Sequence, residues 1–189
     1  MVLVLTLVCS GASAAVAVIY AVTKDPIAAA STAKTNKAIE EVVPAFDNNP
    51  SEEVLNIAAD LQKPDATSKV YVAKKGGEVV GYAIESTTTK GFGGPFTIMV
   101  GFTPNGEVYN TSVISHSETP GLGAKITDSK SHFITQWNGK NLTDGSLNIS
   151  VKKDGGDIDA ITASTISSRA FCDAMQIAAN VFNNITTEK

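Results

Sequence analysis

Cysteine, histidine, tryptophan and positive charge are all scarce in this chain. Its 189 residues hold two cysteines, two histidines and one tryptophan, with 15 Lys and Arg against 19 Asp and Glu and a net charge of −4. Two cysteines are too few for a disulfide framework or for the thiolate sets that hold iron–sulfur clusters. Cys9 lies in an apolar stretch and Cys172 in a helical pattern far along the chain, so they are not expected to meet. His116 and His132 stand without a Cys or acidic partner at ligand spacing, which is poor evidence for a metal site. His116 reads as loop structure, His132 as a helix-surface residue and Trp137 as packing. With 18% charged residues and an acidic balance there is no basic patch for nucleic acid. No Gly-x-Gly-x-x-Gly and no Walker loop are present. Spacing alone assembles no Ser nucleophile with a His base.

Charge is missing altogether from Val2 to Val22. At about 1.5 Å of rise per residue, an uncharged helix of that length crosses a hydrocarbon core. The run is longer than the apolar part of a signal peptide and lacks a basic start, and Val8 before Cys9 argues against a lipoprotein signal. A retained single-span anchor is expected over 1–23. Small residues such as Gly11 and Ala15 would let another membrane helix come close. Lys24, Lys34 and Lys37 follow the span, so the positive-inside rule by itself puts the remainder in the cytoplasm.

A connector with helical pieces is expected over 24–66. Thr23 to Ser31, with Asp25-Pro26, reads as a short link. Lys34 to Val43 reads as a helix stopped by Pro44. Ser51 reads as the N-cap of a second short helix, with Val54, Leu55, Ala58 and Leu61 on one face and Pro64-Asp65 at its end. From Lys69 the apolar period becomes two. Val70, Val72, Val79, Tyr82 and Ile84 flank Lys75-Gly76-Gly77, a hairpin signal. Gly91 to Pro95 is a flexible loop, Phe96 to Phe102 a dense apolar strand, and Pro104-Asn105-Gly106 a turn into a strand over Glu107 to Ile114. Leu147 to Val151 reads as one more strand. Helical patterns lie before and after these strands, so the class is α+β: an antiparallel sheet with flanking helices, preceded by one N-terminal transmembrane helix.

Two stretches carry chemistry. The first holds five hydroxyl side chains in the seven residues Thr162 to Ser168. Behind it Phe171, Met175, Ala178, Ala179 and Phe182 recur at helical spacing. The cluster therefore sits at a helix start, where Ser and Thr cap unpaired N–H groups and where anions are also attracted. A phosphate seat and a redundant N-cap are both open readings. Thr162, Ser164, Thr165 and Ser167 are the competing hydroxyls. The second stretch runs from His116 to Lys125. Pro120-Gly121 turns it, and Gly123 lets backbone approach a ligand closely.

The order Asp159-x-x-Thr162-Ala163-Ser164-Thr165, with Ser167 following, resembles the flavinylation motif of the FMN-binding domain family. Glu118-Thr119-Pro120-Gly121-Leu122-Gly123 resembles that family's second signature. In the family pattern a Gly stands at the position of Ala163 and an Ala at that of Ser164. Within the family the chain is most similar to the G subunits of Rnf complexes, and the C subunits of sodium-translocating NADH:quinone oxidoreductases are cousins. The resemblance implies a flavin domain over 67–189 and FMN held covalently by a phosphoester to Thr165, attached by a flavin transferase. Thr162, Ala163, Ser164 and Ser167 would lie around the phosphate, and Glu118, Thr119, Leu122, Gly123 and Lys125 would contact the flavin. Asp159 would bind the metal that the transferase uses. The resemblance further implies an electron relay with no catalytic site of its own. Its partners would be the other membrane subunits of a ferredoxin:NAD oxidoreductase that moves Na⁺ or H⁺. The protein would be a single-pass protein of the bacterial inner membrane, with its flavin domain on the extracytoplasmic side. An assembly subunit with a decayed flavin site and a stand-alone flavin carrier are the alternatives.

Overall fold

Apolar residues on both sides of a strand require cover on both sides of the sheet. Val70, Val72, Tyr82, Ile84, Ile98, Val100 and Phe102 are buried in one core, and Tyr71, Ala73, Ala83 and Met99 in another. Because neighbours on a strand point to opposite faces, these sets define the two faces of one sheet. The computed structural model describes residues 1–59 and 67–187. Its sheet has five strands in the order β1-β2-β3-β4-β5, all antiparallel: β1 (Val54–Ala58), β2 (Thr67–Lys75), β3 (Glu78–Thr88), β4 (Phe96–Phe102) and β5 (Val108–Ser115). The hairpin between β2 and β3 turns on Gly76 and Gly77, at φ of 60° and 86°. Two successive positive φ values are the requirement of a tight hairpin turn, and glycine meets it without a Cβ clash.

The chain forms two compact units, Met1–Asn36 and Lys37–Lys189. The first is helical. Helix α1 (Val2–Val42) is the one helix among the described residues long and apolar enough to cross a membrane. Leu3, Leu5, Leu7, Val16 and Ile19 are all exposed along it. In the second unit, Ala38, Ile39, Val42 and Val43 pack on the Tyr71–Met99 face of the sheet. The opposite face is covered by α3 (Thr165–Thr187), through Phe171, Met175, Ala178 and Phe182. A short helix α2 (His132–Thr135) brings Phe133 and Trp137 against Phe171, with ring centroids 5.2 and 5.9 Å away.

The α+β class, the hairpin, β4, β5 and the last helix follow the sequence reading. Three elements do not. The expected link from Thr23 to Ser31 is helical, with Pro26 inside α1. Ala28, Ala29 and Ala30 favour helix strongly beyond the proline. The expected helix after Ser51 is instead strand β1, paired with β2 from Val54↔Tyr71 to Ala58↔Thr67. A five-residue apolar run has no intrinsic commitment to helix, and the free edge of β2 satisfies its backbone groups. Leu61 and Pro64-Asp65 of that reading lie outside the described residues. Finally, Leu147 to Val151 joins no sheet; Val151 makes one parallel bridge to Ile158. Its backbone partners come from its own return segment, with Asp157 N and Ile158 N donating to the carbonyls of Asn148 and Ser150.

Candidate functional site

The hydroxyl cluster is sorted by burial into distinct roles. Ser168 is fully buried and closes the loop: its hydroxyl donates to the Ser164 carbonyl and accepts from Ile161 N–H, both at 2.9 Å. Ser167 is also buried, and its hydroxyl donates to the Glu118 carboxylate at 2.5 Å. Ser164 stands just before α3, at the N-cap position, yet its buried Oγ has no hydrogen-bond partner. The expected side-chain cap is thus missing, and no acidic residue occupies the first turn. The first-turn N–H groups of α3 keep their capacity for an acceptor from outside the chain. Thr162 is exposed and Thr165 half-buried, which leaves them as the reachable hydroxyls of the four candidates.

Between Ile161 and the helix, the backbone is bent hard. Ala163 has φ of 62°, the one positive value for a non-glycine among the described residues. A side chain in that region costs about 1–2 kcal/mol. The conformation that a glycine would accept freely is therefore kept here with an alanine in it.

The second motif folds against the first. Glu118 is 4% exposed and forms no ion pair among the described residues. Besides Ser167 it accepts from Gly93 N–H at 3.1 Å. Its own N–H donates to His116 Nδ1 at 3.1 Å, so His116 is loop structure. Gly123 opens a 3-10 turn (Gly123–Thr127), and a Cβ there would run into the Glu118 carboxylate and the Ser167 hydroxyl. Glycine is required at this position by close approach, not by φ. The far side of the site is carried by the glycine-rich loop after β3. The end of β3 that leads into that loop is held to α3, because Ser86 donates to the Ala174 carbonyl at 2.7 Å and Thr88 to Asp173 at 2.7 Å, and Lys90 of the loop pairs with Asp173.

These segments enclose a cleft of about 290 Å³. Glu118, Thr119, Leu122 and Gly123 line one wall, and Ala163, Ser164, Thr165 and Ser167 another. Phe92 and Ile166 complete it, 68% and 48% exposed. Sequence reading missed both. Phe92 carried one usable signal, a lone aromatic ring among glycines. Two expected residues stand outside the lining: Thr162, and Lys125, which is exposed. Asp159 is bound into structure. Lys152 Nζ lies 2.8 Å and His132 Nε2 3.3 Å from its carboxylate. The bond from Lys152, then that from His132, holds its pKa below the ordinary aspartate value. His132 is exposed on α2 and Trp137 is buried, as read from the sequence.

A partly apolar cleft beside an uncapped helix start suits a ligand with an apolar body and an anionic end. The FMN-binding domain family matches residues 91–180, which contain the whole cleft. Over 93% of its length the chain is 35% identical to the G subunit of the ion-translocating oxidoreductase complex of Yersinia pestis, covering 85% of that protein. The corresponding G subunit of Vibrio vulnificus (strain YJ016) is 35% identical over 85% of the chain and 78% of its own length. That of Haemophilus influenzae (strain PittEE) is 36% identical over 88% and 81%. The chain belongs to this family of G subunits. The similarity extends well beyond the FMN-binding domain, so it takes in much of the segment that precedes the cleft. Within this family member the open start of α3 is the feature that fits a flavin phosphate.

Proposed function

We propose that the protein is the flavin-bearing electron-relay subunit of an Rnf-type ion-translocating ferredoxin:NAD oxidoreductase, with FMN held as a phosphoester on Thr165. The observation that carries this reading is the meeting of both sequence motifs in one cleft, joined by Ser167 and Glu118, beside an uncapped helix start. Thr165 is the hydroxyl that both lines the cleft and remains reachable. Ser167 is engaged by Glu118, Ser164 is buried, and Thr162 is off the lining.

The flavin, when attached, supplies one- and two-electron redox chemistry. The chain's residues hold and surround it. The start of α3 favours the remaining phosphodiester charge by about 0.3–1 kcal/mol at an exposed site. Glu118, buried and anchored by Gly93 N–H and Ser167, fixes the loop that carries Leu122 to the cleft. A covalent tether keeps the relay's cofactor at a fixed place, which a dissociating flavin in an extracytoplasmic compartment would not do. Val2 to Val22 spans the inner membrane, the cleft lies outside the cytoplasm, a flavin transferase loads it, and the protein has no catalytic site of its own.

The test is co-expression with a flavin transferase of Thr165→Ala and, separately, Ser164→Ala. On denaturing gels under ultraviolet light, Thr165→Ala is expected dark and Ser164→Ala bright. The reverse pattern would move the attachment by one residue. A dark wild-type band from the native host would favour an assembly subunit without flavin.

A further inference from the structure

A second cleft, of about 410 Å³, lies along the free edge of the sheet at β5, well separated in lining from the flavin cleft. Edge strands of lone proteins are blunted by charge, proline, bulges or cover, because a bare edge recruits other strands. β5 has none of the first two: Val108-Tyr109-Asn110-Thr111-Ser112-Val113-Ile114-Ser115 contains no charged residue and no proline. Among the described residues, backbone cover reaches only its first residue, where Val108 exchanges bonds with Gly139 and Lys140. The register of β5 with β4 shifts at Tyr109 and at Ile114, and in the regular stretch between these bulges, 110–113, the backbone bonds only to β4 among the described residues.

The cleft wraps both sides of this edge. On one side Asn110 and Ser112 face Glu41: Ser112 Oγ donates to its carboxylate at 2.9 Å and Asn110 Nδ2 to its carbonyl at 3.0 Å. Glu41 is the one charged residue in the lining, and the exposed Lys37 Nζ lies 3.8 Å from its carboxylate. On the other side Thr111 and Val113 meet Ile126 and Ile134. Thr111 is 4% exposed, and its Oγ1 has no partner. A buried hydroxyl without a partner is a cost that a bound acceptor removes.

We propose that β5 is completed by a sixth strand from another subunit of the complex, an extended segment that alternates basic with apolar side chains. Strand addition satisfies the bare backbone. Along 110–113 the period of two then sends one basic side chain to Glu41 and its apolar neighbours to Val113, Ile126 and Ile134. This rests on the chain's proposed place in a multi-subunit membrane complex.

Hydrogen exchange, followed by mass spectrometry on the detergent-solubilised complex and on the full chain purified alone, tests it. Amides within 109–115 are expected to exchange at least roughly tenfold more slowly in the complex. Those of α3 serve as the folding control and stay unchanged. Glu41→Lys is expected to lower recovery of the chain with the other subunits while the α3 amides stay protected. Equal exchange of 109–115 in the two states, with the complex intact, overturns the strand proposal alone. Protection that appears only as the isolated chain is concentrated assigns the edge to a second copy and overturns it too. Failure to co-purify with any membrane subunit overturns both this proposal and the one on which it rests.

Discussion

Ser167 donates its hydroxyl to the Glu118 carboxylate across 2.5 Å, although 49 residues separate them. The pair is buried, and it locks the loop that opens at Glu118 onto the first turn of α3. Gly123 is the third member, since its missing side chain leaves the space in which the pair meets.

Removing one partner strands the other in a buried site. Ser167→Ala is expected to cost about 1–3 kcal/mol, a fall in Tm of about 2–12 °C for a chain of this size. Gly123→Val is expected to do more to the site than to the fold. Its side chain would displace Glu118 or Ser167, and the visible spectrum of the attached flavin should shift. Thermal melts and absorbance spectra of the loaded protein check both; an unchanged spectrum in Gly123→Val would count against this placement of the flavin.

Ala163 offers the opposite experiment. Its φ of 62° is accessible to glycine without strain. Relief outweighs the added freedom of the unfolded chain, so Ala163→Gly is expected to stabilise by about 0.5–1 kcal/mol. A rise in Tm of about 1–4 °C is the readout. Flavin loading by the transferase is expected to be preserved. A lower Tm would show that the loop is not held as described.

Cys172 is buried in α3 against the sheet, and burial pushes its thiol up to about 12. The folded state thus favours the protonated thiol, and its contribution to stability is complete below the ordinary thiol value of 9.0. That contribution is lost as pH rises from there toward about 12. At pH 8 the native protein is expected to leave Cys172 unmodified by a thiol reagent, and to release it on denaturation. Labelling of a Cys9→Ser variant, followed by peptide mass analysis, isolates this thiol. Rapid labelling in the native state would contradict the packing of the last helix.

Helix α1 exposes its apolar side chains from Leu3 to Ile27. No soluble surface of that composition is stable in water, so the span is expected to stay in membranes through a carbonate wash. Recovery of the chain in the supernatant, or a mature N-terminus near Ala15, would remove the anchor.

Several elements were legible because a strong local signal met no competitor. The hairpin at Gly76-Gly77, strand β4 and helix α3 each carry a period and a punctuating residue, and the antiparallel α+β class follows from their order. The segments that misled are weak or short. Val54–Ala58 is too brief to be a helix by itself, and it became a strand because β2 offered an unpaired edge. Pro26 looked like a stop, but one lost backbone bond did not outweigh the helix formers around it. The two chemical motifs could be found in the residue order. Their contact could not, because a 49-residue separation is closed only by the packing of α3 on the sheet. The same packing decided which hydroxyls of the cluster are spent on structure and left Thr165 half-buried on the wall of the cleft. Sequence by itself determined the membrane-length apolar run, the hairpin-rich sheet, the last helix and the two motifs, since each is a matter of neighbours along the chain. Tertiary structure alone decided that Glu118 meets Ser167, that Ala163 is held at positive φ, and that β5, between its two bulges, has an edge unpaired among the described residues. Those depend on which distant surfaces come together, and no local preference encodes them.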